Sequence, residues 1–543
     1  MKRKAVAAVL TAVMVASMFT GCGSDKGSSS AKSTSAASAA NDTVDEDGKV
    51  NGIMYQEGLP LVDEGAYTFS IFCDDSSESG EFIMLDEFKK QTNVDVDLKI
   101  YPYETATERL NLDLNSGDYA DVIGGWTLSD NAILTYGVNQ GVFIPLEDYF
   151  EKYCPNISAI LDLPGVREKM TAPDGHIYTI PYVCADSTVG YSPYINTKWL
   201  ENVGMSMPTT TDEFEAVLKA FKEQDANGNG DASDEIPFST DPNNKHIEAM
   251  AGYFGLPMNK LGIAIQNEKV VYGGVSDTYR EFLSWFHKLY AEGLVDVELY
   301  TQDSSTWEGK GNQDLYGVSI AYGSGEFTGI PAAEERGDFD SMPVLNTDKD
   351  GIWLRDTEGF SVYRTQAVIT NKAEHPEIIC RWFDNAFALE NGIGCNRGPV
   401  GVIVNKEDDG YHAIDTTTLS EEDQEKYSWS NLWPQSLPKY LPADFEFVEE
   451  HPMYDEKKAT EEAYEANLTK EIIPSYWIDL DKIDTFSDTN TAIKDFFEQQ
   501  QAQFVCGELD IDNDADWQAY VDGMYSLGLE DWVATQGIEE IAK

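Results

Sequence analysis

The chain has 543 residues, with 38 Lys+Arg against 96 Asp+Glu, a formal net charge of −58, and 42% hydrophobic residues. Its length allows two or three domains with a sizeable core, and its composition excludes a disordered or collagen-like chain. So negative a surface repels phosphate backbones and anionic headgroups, which excludes nucleic acid and a polybasic membrane contact as partners.

Lys2, Arg3 and Lys4 precede an apolar run of small residues over 5–21, the pattern of a secretory signal peptide. The run is too short for a comfortable membrane span, and no second long apolar run follows. Phe19-Thr20-Gly21-Cys22 resembles a bacterial lipobox, in which cleavage exposes a cysteine that is then acylated. Phe19 departs from the usual aliphatic residue at its first position. Residues 22–50, rich in Ser, Ala, Gly and Asp, cannot bury enough apolar surface to order themselves and read as a flexible tether behind a lipidated Cys22. The other cysteines, Cys73, Cys154, Cys184, Cys380, Cys395 and Cys506, are spaced too irregularly for a disulfide scaffold or a zinc site and read as buried thiols, with one or two disulfides as the alternative outside the cell.

Residues 67–73 form an expected buried strand, 82–90 an amphipathic helix, 94–100 an alternating strand, 108–114 a helix and 121–124 a short strand. This alternation predicts a parallel α/β unit whose ligands sit at the carboxyl ends of the strands, beside Asp74, Asp75 and Trp126. Thr211-Asp212-Glu213 caps and opens a helix to about 223. Strands are expected over 315–322, 360–363 and 366–370, and helices over 376–389, 450–467, 489–504 and 517–527. Trp199, Trp382 and Trp517 fall in helical patterns and are assigned to cores.

Several phrases in order resemble the extracellular solute-binding proteins of ABC importers, specifically the large carbohydrate-binding lipoproteins. They are residues 109–123 with Ser116-Gly117-Asp118, 141–146, 174–181, 194–200, 207–214, and the tail 504–508 with Trp517 and Tyr520. Ala120 stands where that family usually has Pro. The resemblance implies an α/β, two-lobed periplasmic-binding-protein-like fold of type II. Each lobe would be a mostly parallel sheet flanked by helices, with extra C-terminal helices. It places 51–184 and 366–430 in the first lobe, 185–365 and 431–543 in the second, and the first crossing at 180–186. It further implies an oligosaccharide ligand, the permease subunits of an ABC importer as partners, a membrane contact through the lipid anchor alone, and a monomer.

Asp225, Asn227 and Asn229, at alternate positions, precede Gly230, as at the start of an EF-hand loop: a hard cation wants several oxygens and the glycine permits the sharp turn. Position 12 is Ile236, so this is no EF-hand pair. It is similar to the single calcium loop of alginate-binding members of the family. That resemblance assigns structural Ca²⁺ to Asp225, Asn227, Asn229, Asp231 (through its carbonyl), Asp234 and Glu235.

A sugar site needs aromatic platforms for C–H faces and acids or amides for hydroxyls, and 11 Trp and 28 Tyr supply more rings than a core requires. The candidates are Asp74, Asp75, Trp126, Asp186, Tyr322 and Glu326, together with Trp429 and Trp433 from a segment too polar and broken for a core helix. Asp74 and Asp75 equally suit helix capping. A surface glycoside hydrolase, which needs two carboxylates across a glycosidic bond, remains an alternative, as does the same fold holding a peptide or lipid precursor or acting as a sensor.

Overall fold

A computed structural model describes residues 42–75, 81–241, 246–329, 337–414, 416–442, 445, 447–448 and 452–542. The signal peptide, Cys22 and the tether up to residue 41 lie outside the described residues. The last part of the expected tether is built into the fold. Lys49–Val50 pairs with Met54–Tyr55, Val50 is buried, and Asp42 accepts the Tyr153 hydroxyl at 2.8 Å.

Two sheets, each flanked by helices, organise two lobes. The first has five strands in the order Val94–Tyr101, Tyr67–Asp74, Val122–Gly124, Phe360–Ile369, Thr179–Ala185. The edge strand Val94–Tyr101 carries Asp95, Asp97 and Lys99, while Tyr67–Asp74 inside the sheet is buried along most of its length. The two-residue period sorts side chains between two cores. Phe69, Ile71, Cys73 and Val122 meet Trp382 and Trp433 on one face, whereas Phe72, Ile123 and Val368 meet Leu110 and Leu134 on the other.

The second sheet runs Phe339–Ser341, Ser192–Asn196, Tyr316–Ala321, Ile236–Thr240. Only the Tyr316–Ala321 and Ile236–Thr240 pair is parallel. This lobe departs from the expected mostly parallel sheet because Ser192–Asn196 enters directly from a crossing strand, without the helical crossover that parallel pairing needs. Its core gathers helices Thr211–Glu223, Asp277–Ala291, Ile483–Cys506 and Asp514–Ser526. The first of these is capped by Thr210, one residue before the expected cap.

The crossing strands are Thr179–Ala185 and Phe360–Ile369, antiparallel to each other with a register irregularity between Tyr363 and Ala367. That irregularity divides what the sequence presents as two short strands. The chain then changes lobe again beyond the expected boundary at 430/431. Trp433 and Leu437 lie in the first-lobe core, Tyr464 in the second-lobe core, and Ile478 and Ile483 back against the first sheet.

Trp433 is therefore not a ligand platform. Its ring is fully buried, 5.7 Å from Trp382 in a stacked pair and 5.0 Å from Phe88. The polar residues around it, Gln435 and Ser436, bond inward to the first lobe rather than to solvent. Trp307 and Trp353 are core residues, as are Trp199, Trp382 and Trp517. We expect Trp433→Ala to destabilise the protein by about 3–5 kcal/mol. Trp429→Ala, at a ring 54% exposed, should leave stability nearly unchanged. Denaturant unfolding of the two variants side by side measures the contrast.

Candidate functional site

The crossing strands carry the centre of the site. Tyr182 and Tyr363 stack across them with ring centroids 5.5 Å apart. Just beyond the first crossing, the Asp186 carboxylate accepts the Tyr322 hydroxyl at 3.1 Å and the Tyr363 hydroxyl at 3.0 Å. Tyr322 follows the second-lobe strand Tyr316–Ala321, so one carboxylate joins a second-lobe ring to a crossing-strand ring. Burial and the Asp186 charge push both phenols upward, so they remain hydroxyl donors at neutral pH.

From this centre a line of rings extends to both sides. On the first lobe, Tyr363 meets Trp126 edge-on at 5.3 Å, and Tyr103 lies close to Trp126. Trp126 is 44% exposed, and its place depends on Asp74. This buried carboxylate accepts the backbone N–H of Trp126 at 2.9 Å and of Thr127 at 2.6 Å. Gly125, at φ +133°, lets the chain lie on that carboxylate, which a Cβ would approach to 2.3 Å.

Asp75 is buried likewise and accepts the Gln435 backbone N–H at 2.7 Å. The sequence placed Asp74 and Asp75 at the ligand or at a helix cap. The structure corrects both: the next helix, Ile83–Thr92, is preceded by Phe82, and the two acids hold loops from below. Trp429 stands exposed beyond Gln435.

On the second lobe, the Tyr322 backbone N–H donates to Glu326 at 2.9 Å, and the Tyr322 ring carries the Lys457 ammonium 3.9 Å from its centroid. Lys457 also donates to the Gly190 and Tyr322 carbonyls, at 2.5 and 2.7 Å. Tyr191 meets Tyr322 edge-on and stacks on His246 at 4.0 Å. Burial lowers His246 to about 3, so it is neutral at physiological pH. Surrounding protein crowds Glu326 and Asp356, which accepts the Gly190 N–H, and raises them to about 7 and about 6 although both side chains are exposed, while burial lowers Lys457 to about 8.

The structure thus brings together Trp126, Asp186, Tyr322 and Glu326, with Trp429 on the first-lobe side. Sequence reading missed Tyr103, Tyr182, Tyr191, His246 and Tyr363. The alternation in the crossing strand was the available signal for Tyr182, while nothing local marks Tyr191 or His246. The arrangement offers flat apolar faces edged with carboxylates and hydroxyls.

A separate surface concavity, about 830 Å³, is lined by Arg280, Glu281, Trp285, Lys288 and Asp512 and shares no residue with this line of rings. Its own rings, Phe254 and Trp285, are packed into the second-lobe core. It therefore presents charged rims rather than platforms.

The acidic loop joins helix Thr211–Glu223 to strand Ile236–Thr240. Gly228 and Gly230 have positive φ, and Asn227, Asn229 and Asp231 each accept a nearby backbone N–H, which curls the loop on itself. Asp225 Oδ2 accepts the Gly230 N–H, Glu235 Oε1 accepts the Ala226 N–H, and Asp234 takes the Asn227 and Asn229 amides. Two buried carboxylate oxygens, Asp225 Oδ1 and Glu235 Oε2, have no hydrogen-bond partner. Burial raises the Glu235 carboxyl. Unpaired buried acceptors are costly, and an oxygen-seeking cation would satisfy them, so this donor set fits Ca²⁺. Among the described residues, Glu407, Asp409 and His412 also cluster, on an exposed hairpin. Four of the six cysteines named above are buried thiols, Cys184 is half-buried, and Cys506 departs from expectation in being exposed.

Glu326 gives a pH test of the site. Its raised pKa contributes stability at low pH that is lost as pH rises from the ordinary carboxylate range through about 7. Glu326→Gln, which cannot charge, should melt with the wild type at pH 5 and slightly above it at pH 8.5, the difference being reduced by the solvent exposure of this side chain. An equal offset at both pH values would contradict the assignment.

Residues 76–392 match the family described as bacterial extracellular solute-binding protein. FusA of Streptococcus pneumoniae, a fructooligosaccharide ABC transporter substrate-binding protein, is 32% identical over 379 residues, 67% of this chain and 68% of that protein. The structure of FusA in complex with kestose superposes with a TM-score of 0.76 at 26% identity, over 86% of this chain and 98% of that one. A FusA EF-hand mutant in complex with fructo-nystose gives 0.73, at the same identity and coverage. The alginate-binding protein AlgQ2 without calcium ion shares the fold at 22% identity, with a TM-score of 0.72 over 89% of this chain and 99% of that one. The chain belongs to the bacterial extracellular solute-binding proteins.

Proposed function

We propose that the protein is a lipid-anchored binding protein that captures a neutral oligosaccharide between its lobes and delivers it to the permease subunits of an ABC importer, without catalysis. The observation that carries this reading is the line of rings from Trp126 through Tyr363 and Tyr322 to Tyr191, edged by Asp186 and Glu326. Exposed indoles suit the C–H faces of sugar rings, and carboxylates accept their hydroxyls. The acids disfavour a polyanionic glycan. Asp186, Tyr322, Glu326, Trp126 and Trp429 are the proposed contacts, and Asp74 and Asp75 support them from beneath. FusA, whose name records fructooligosaccharides, supports a saccharide ligand of this kind. No described helix is long and apolar enough to cross a membrane, and the reading assigns anchoring to Cys22 alone, on the outer face of a bacterial cell.

A thermal-shift panel of neutral and uronic-acid oligosaccharides, with chromatography of the recovered glycans, tests the reading. We expect a neutral oligosaccharide to raise the melting temperature and to be recovered intact. Trp126→Ala and Trp429→Ala should each weaken that binding by roughly tenfold or more in calorimetry. Release of a cleaved product would overturn the reading in favour of a glycoside hydrolase.

For the acidic loop we propose structural Ca²⁺ held by Asp225, Asn227, Asn229, Asp231, Asp234 and Glu235. The two unpartnered carboxylate oxygens support it, as does the existence of an EF-hand in FusA. A chelator should lower the melting temperature of the wild type and leave Asp225→Asn/Glu235→Gln unaffected, since a ligand bound only to the folded state stabilises it. An unchanged wild-type melt would contradict the assignment.

A further inference from the structure

Lys439 is almost completely buried, at 1% exposure, on the first-lobe side of the site. Its ammonium donates to Gln435 Oε1 at 2.5 Å and lies 5.7 Å from the Trp429 ring centroid and 5.6 Å from that of Tyr182. Gln435 completes the arrangement: its side-chain N–H donates to the Trp429 and Trp433 carbonyls, and its backbone N–H to Asp75. Tyr182 stacks on Tyr363, which meets Trp126. A single buried cation therefore lies under the face of one exposed indole and is linked through two tyrosines to the other.

We infer that Lys439 is a positioning residue: its ammonium fixes Trp429 relative to Tyr182 and so sets the spacing of the two indole platforms that receive the ligand. This inference rests on the oligosaccharide-binding reading. Attraction of an ammonium to ring faces is strongest where water is excluded, as it is here. Neutral amine would keep the hydrogen bond to Gln435 and lose the hold on both rings.

Burial lowers Lys439 to about 8. The groups facing it are Cys395 and Arg397 from helix Leu389–Arg397, Cys184 and Tyr182 from the crossing strand, and Asp75 beneath Gln435. Burial raises both thiols and the phenol, so none of the three ionises as Lys439 does. Lys457, across the site, is also lowered to about 8, so the pH dependence of ligand affinity alone would not isolate Lys439.

The test is the Trp429 contribution to fluorescence, taken as full chain minus the same chain with Trp429→Phe, between pH 6.5 and 9.5 without ligand. We expect a transition near pH 8 that is absent in Lys439→Met. In calorimetry with the neutral oligosaccharide that shifts the melt most, Lys439→Met should weaken binding roughly tenfold, and little further when Trp429→Ala is already present. A flat wild-type transition, or additive effects of the two substitutions, would overturn the inference. Should Lys439→Met fail to fold, the wild-type difference spectrum decides alone. A Trp429 transition with no oligosaccharide bound would sink the functional reading and leave the positioning role standing.

Discussion

The Asp186 carboxylate, shared between the hydroxyls of Tyr322 and Tyr363, is the contact on which the site depends. One of these tyrosines leaves the second sheet and the other rides a crossing strand. Their common acceptor sets the two lobes' contributions in one register. Remove it, and two half-buried phenols lose a charge-assisted partner, the stronger kind of hydrogen bond. The rings that run outward from them, Trp126 on one side and Tyr191 on the other, would then have no fixed origin.

Beneath the exposed rings lies a set of polar groups almost wholly withdrawn from solvent. Asp74 holds the backbone under Trp126, Asp75 holds Gln435, and Gln435 ties the Trp429 carbonyl to Lys439. Satisfied buried networks of this kind specify a single arrangement. They explain how loops can present large aromatic faces without those faces collapsing into the cores on either side of the sheet. In the proposed reading, acids placed at the platforms' edges would meet sugar hydroxyls, and acids placed below them hold the platforms in place. Most of the 96 acidic residues do neither and form a solvated, negative skin.

Much of the fold was legible because local rules and tertiary outcome agree. The alternation at 67–73 and 94–100 became the strands Tyr67–Asp74 and Val94–Tyr101, and the helices differ from expectation mainly at their ends. Family phrases supplied the two-lobed layout, which no periodicity encodes. The misses share one cause: burial of polar or aromatic residues far apart in sequence. Trp433 sits in a polar segment yet packs on Trp382, 51 positions earlier in the chain, because its polar neighbours bond inward. Asp74 and Asp75 were correctly placed at a strand end, but a strand end says nothing of which loop will cover it. Tyr191 and His246 meet only in three dimensions. The acidic loop was readable because all its donors are contiguous.

The most direct measurement is a crystal structure of the protein with a bound neutral oligosaccharide. The account expects sugar rings against the faces of Trp126 and Trp429, with hydroxyls donating to Asp186 or Glu326. A saccharide seated away from these rings, such as in the concavity lined by Arg280, Trp285 and Asp512, would contradict it.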